Sequence, residues 1–159
     1  MKRILLPLGM ALATMAFSSC SKDDDGPDNH GLNTNTWMLG GKTYTAASVA
    51  RITGNTALVG RDHPNSTGDV NQCSISFGSF PLTSGSYSIG NVTGPNQIAP
   101  AALINEGGVD RVYVATGNDH LTAQVLVTNS KISVLIPEVW AKRLGGTDSL
   151  KLAANLIEF

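Results

Sequence analysis

Leu121-Thr122-Ala123-Gln124-Val125-Leu126-Val127-Thr128-Asn129-Ser130-Lys131-Ile132-Ser133-Val134-Leu135-Ile136 is the stretch that decides the fold. Leu121, Ala123, Val125 and Val127 recur at every second position, and so do Ile132, Val134 and Ile136. Period two is the signature of a half-buried strand, and a two-residue Asn129-Ser130 connection selects a hairpin. Working outward, Cys73, Ile75 and Phe77 alternate with Gln72, Ser74 and Ser76. Cys73 therefore belongs to a core stripe and is expected to be a buried, inert thiol. Trp37 and Leu39, the Gly40-Gly41 turn and Thr43-Tyr44-Thr45 predict an opening hairpin, with Trp37 in the core. Further strands are expected over 48–52, 56–59, 86–89, 101–105, 111–115 and 150–159, a loop over 61–69, and a long loop or edge segment over 91–100. Residues 137–144 admit one or two helical turns, although Val139 and Ala141 also permit a strand. The pattern predicts an all-β domain over residues 33–159, an antiparallel β-sandwich, or barrel-like, of about nine short strands.

Composition narrows the function classes. The 159 residues fit one compact domain. They are 42% hydrophobic and only 14% charged, against roughly 25% in an average soluble domain, and include 17 glycines. Eleven basic and twelve acidic residues nearly cancel, so no basic field draws in nucleic acid. From Gly31 onward the chain carries eight of each sign.

The N-terminal segment reads as an address. Lys2 and Arg3 precede an apolar stretch from Ile4 to Phe17, which is shorter than the roughly 20 residues a spanning helix needs. Ser18 and Ser19 then precede Cys20, so residues 1–19 are expected to be a lipoprotein signal peptide. The ending resembles a lipobox, which implies acylation of Cys20, and multiple lipid chains hold a protein stably on a bilayer. Residues 20–32 form the lipidated cysteine and a flexible acidic tether. With Cys20 acylated, Cys73 is the one remaining thiol, so no intrachain disulfide is expected.

The domain offers few residues for chemistry. No nucleophile elbow, phosphate loop, zinc-protease motif or paired-cysteine motif is present, and the acidic residues are scattered. The expectation is a protein that is not an enzyme and carries no metal or cofactor. Asp62-His63 and Asp119-His120 are the nearest thing to metal ligands, but neighbours on an extended chain point apart, and loop polarity explains them better. Aromatic side chains are the stronger candidates, since they stack on sugar rings and anchor protein partners. Trp140, inside Glu138-Val139-Trp140-Ala141-Lys142-Arg143, reads first as a core residue and otherwise as a surface contact, and with Tyr113 it is the candidate ligand-binding residue.

Several features together resemble small Bacteroidota-type surface lipoproteins. They are the lipobox, the Ser21-Lys22-Asp23-Asp24-Asp25 run after Cys20, the Trp37-Met38-Leu39-Gly40-Gly41-Lys42-Thr43-Tyr44 opening, the Ser84-Gly85-Ser86-Tyr87 turn and the closing 151–158 strand. The resemblance implies an acidic export signal at Ser21 to Asp25 and a lipid-anchored, outward-facing place on the outer membrane. It also makes Asp148-Ser149-Leu150 similar to an O-glycosylation acceptor. It supplies no catalytic residues. The leading expectation is a noncatalytic surface domain that binds a glycan, a peptide or an envelope protein. An inhibitor protecting the envelope from an attacking enzyme, with 91–100 as its inserting loop, is the alternative, and a hydrolase ranks last.

Overall fold

A computed structural model describes residues 31–63, 70–117 and 120–159. The signal peptide, Cys20, the export run, Asp119 and most of the 61–69 loop lie outside them. The described chain is all-β. Its eleven strands are β1 (Thr36–Leu39), β2 (Lys42–Thr45), β3 (Ser48–Ile52), β4 (Ala57–Arg61), β5 (Gln72–Phe77), β6 (Gly85–Ile89), β7 (Gln97–Glu106), β8 (Val109–Ala115), β9 (Thr122–Thr128), β10 (Lys131–Arg143) and β11 (Ser149–Ile157). The single helical element among the described residues is one 3₁₀ turn, Thr53–Asn55.

The strands form one continuous sheet in the order β2-β1-β11-β10-β9-β6-β7-β5-β4-β3. Its curvature comes from β8, which lies off that path and pairs with both β10 and β7. β10 gives one edge first to β9, over 131–135, and then to β8, over 141–143. β7 likewise pairs with β6 at 97–98 and with β8 over 101–106. On the far side, the Phe159 N–H donates to the Val49 carbonyl at 3.2 Å, so β3 meets the end of β11. The two layers thus curl into a barrel-like sandwich. All pairings are antiparallel except β6 with β7, which is parallel.

Inward positions follow the alternation. Trp37, Ile75, Ile98, Val134, Leu152 and Leu156 are fully buried in one core. Trp37 stacks on Tyr44 with ring centroids 5.4 Å apart and planes 8° apart, joining β1 to β2. Burial of side chains this size stabilises by about 1.5–3 kcal/mol each.

One segment departs from the sequence expectations, and a second settles an open one. Residues 97–100, expected in a long loop or edge segment, are the first part of β7, with Pro100 buried. The Ile98 carbonyl, two residues earlier on the same edge, accepts from Gly90 N–H at 2.9 Å. Pro100 therefore turns its donor-less nitrogen to that edge, in the interval between the β6 and β8 pairings, where no ladder bond is lost. Residues 137–143 are strand rather than helix, as the second half of β10. The ladder with β11 shifts register between Ile136 and Val139, a bulge that accommodates Pro137.

Candidate binding surface

That bulge decides where Trp140 points. Ile132, Val134 and Ile136 face the core, and strict alternation would send residues 138 and 140 inward as well. The extra residue at Pro137-Glu138 reverses the parity, so Val139 and Ala141 are buried and Trp140 stands on the outer face, 44% exposed. Trp140 pairs across the ladder with Lys151, whose Nζ lies 4.5 Å from the indole centroid. The same Nζ is 3.6 Å from Glu138 Oε1. A cation over an exposed indole is worth about 0.5–1 kcal/mol, enough to favour one placement of both side chains. The result is an aromatic surface on a paired strand, flanked by donors and an acceptor. It has the chemistry to stack on a sugar ring or seat an apolar side chain of a peptide.

Tyr113 is placed differently. It is 4% exposed, on the inner face of β8, and so does not offer an exposed platform. Its hydroxyl donates to Asp148 Oδ2 at 2.8 Å. Burial and then the adjacent Asp148 carboxylate hold the phenol above its ordinary pKa of 10.0, while that same hydrogen bond, ahead of Arg143, holds Asp148 below 3.8. Tyr113 instead lines a cleft of about 170 Å³ at one end of the barrel, with Leu39, Tyr44, Ile104, Arg111 and Leu150 around it. Arg111 Nη1 pairs with Glu106 at 2.8 Å, but its Nε is buried and has no acceptor among the described residues. An unmet buried donor costs about 1–3 kcal/mol. The sequence reading did not single out this cleft. Its signal is an arginine two positions before an inward tyrosine on one strand, hence on the inner face at the mouth.

The remaining candidates serve the fold. Cys73 is fully buried, and burial pushes its thiol up to about 12. Asp62 accepts from Asn71 N–H at 3.0 Å and Asn71 Nδ2 at 2.6 Å, while Asn71 Oδ1 accepts from Asn105 N–H at 2.9 Å. Burial works against the Asp62 carboxylate, but the Asn71 and His63 hydrogen bonds outweigh it and keep its pKa below 3.8. Asp62 thus fixes Asn71, which fastens the start of β5 to β7, while His63 pairs with Asp62. His120 is described and Asp119 is not, and among the described residues no three His, Cys, Asp or Glu side chains gather. In the part of 91–100 that remains a loop, Gln97 Oε1 accepts from both the N–H (2.7 Å) and the hydroxyl (2.8 Å) of Thr93. Ser149 is exposed at the start of β11. No protein-family model, curated protein or solved structure matches the chain.

Proposed function

We propose that the protein is an outer-membrane lipoprotein, anchored through acylated Cys20 and turned outward by the Ser21 to Asp25 run. Its noncatalytic β-domain binds a glycan, a peptide or an envelope partner through the outer face around Trp140. The observation that carries the binding reading is the half-exposed indole, held on a bulged, doubly paired strand beside Lys151 and Glu138. Such an aromatic is ordered before the ligand arrives, which lowers the entropic cost of binding. The test is a glycan array, with envelope-protein pull-downs, comparing wild type with Trp140→Ala at matched thermal stability. Loss of at least about tenfold in affinity, or 1.4 kcal/mol, is the expected result. Equal binding by the two proteins rejects the Trp140 face.

The pinning of Thr93 by Gln97 favours a second reading, in which a stiffened 91–96 loop inserts into an envelope-attacking enzyme. Assays against lysozymes and proteases separate the two. Inhibition abolished by Gln97→Ala, yet kept by Trp140→Ala, selects the inhibitor.

A further inference from the structure

The cleft at the end of the barrel lies apart from the Trp140 face and combines three features. Leu39, Ile104 and Leu150 give it apolar walls, and the Tyr44 ring, already stacked on Trp37, is a fixed aromatic surface. The pairing of Glu106 with Arg111 leaves the lining one positive charge in excess, carried by Lys42, whose Nζ sits 5.0 Å from the Tyr44 centroid. Arg111 Nε is buried with no acceptor among the described residues, while the side chain as a whole stays partly exposed. Asp148, the neighbouring carboxylate outside the lining, is already engaged by Tyr113 and by Arg143 at 3.4 Å.

We propose that this cleft is a binding site for an organic carboxylate carried on a six-membered ring. An anion in the cleft accepts from the partly exposed Arg111 guanidinium and balances Lys42, and hydrogen bonds to an ionised partner are the short, strong ones. A carboxylate can take donors from a guanidinium and an ammonium at once, which a neutral hydroxyl or amide does less well. The apolar walls take the body of the ligand. Cavities of about 150 Å³ accept a benzene ring, so a volume of about 170 Å³ is of the right order. Both an aromatic acid and a uronic acid have this chemistry.

The experiment titrates the full-length Cys20→Ala protein with benzoate and with glucuronate, each beside its neutral counterpart, benzyl alcohol or glucose. The readouts are the Arg111 Nε–H and Leu150 methyl NMR signals. The expected result is saturable, millimolar binding of at least one acid that moves both signals, with the counterpart at least about tenfold weaker. Benzoate alone identifies an aromatic acid as the natural class, and glucuronate alone a uronic acid. Lys42→Met is expected to weaken binding severalfold with at most a small change in melting temperature, because Lys42 is exposed and touches the core only through its contact with the Tyr44 ring. Trp140→Ala is expected to leave binding unchanged, which separates this site from the outer face. The proposal is overturned if neither acid moves the Arg111 signal, if the neutral compounds bind as well as the acids, or if Lys42→Met and Arg111→Gln both bind like wild type.

Discussion

Cys73 stands between Gly60 of β4 and Ala102 of β7 in the ladder, sealed from water on both sides. Thiolate is the reactive form, and with the pKa near 12 almost none exists at neutral pH. In the Cys20→Ala protein, Ellman's reagent at pH 8 is therefore expected to find no thiol until urea is added, and one equivalent afterwards. Gly117 is constrained in another way. Its φ is +69°, and a Cβ there would lie 2.7 Å from Gly90 Cα and from the Ile89 carbonyl oxygen. Gly117→Ala combines left-handed strain with a backbone collision and is expected to lower unfolding free energy by roughly 2–4 kcal/mol, measured by urea melts. The role of Gly117 is not legible in the sequence, because the constraint comes from β6, far back along the chain.

At the scale of elements, the Asn129-Ser130 turn has φ values of 52° and 63°, the all-positive geometry that favours glycine. Ser130→Gly relieves about 1–2 kcal/mol of strain and returns about 0.5–1 kcal/mol in unfolded-chain entropy. A net gain of about 0.5 kcal/mol is expected in urea melts. Nearby, Arg51 Nε donates to both Glu158 oxygens at 2.8 and 2.9 Å, its Nη2 donates to the Ser130 carbonyl, and Ile132 N–H donates to Glu158 Oε2 at 3.0 Å. Burial alone would raise the Glu158 pKa, but these bonds and the charges of Arg51 and Lys131 bring it below 4.5. The folded protein then binds fewer protons than the unfolded chain just below pH 4.5. The clamp's contribution is complete above that pH and is lost as pH falls through the folded pKa. Glu158→Gln is expected to flatten this part of a stability profile taken from pH 7 to 3. Elements such as β5 and the β9–β10 hairpin were readable in advance because one face of each is buried, which writes period two into the chain. The first part of β7 was not, since Pro100 reads as a breaker unless one knows that its edge faces an unpaired interval. Trp140 was legible as a candidate, but its outward aim depends on the bulge. The end cleft draws on β1, β2, β7, β8 and β11, a convergence that no local pattern encodes.

Across the whole molecule, β8 and the Val49–Phe159 hydrogen bond cover part of the sheet boundary, while β2 ends the strand order on the other side. Display itself has a direct test. Replacing Asp23, Asp24 and Asp25 by alanine is expected to abolish surface labelling of intact cells while membrane anchoring persists. Retained labelling removes the export role of the run, and Cys20→Ala is expected to release the protein from the membrane. The β1–β11 ladder adds a mechanical consequence. Thr36, where the N-terminal segment enters β1, lies opposite Asn155, whereas Trp140 of β10 lies opposite Lys151, four residues earlier on β11. A tether pulled from one end against a ligand held at the other loads the strands along their length. The hydrogen bonds between them then share the tension and fail together rather than opening one by one, which would suit the proposed anchored binder under fluid drag.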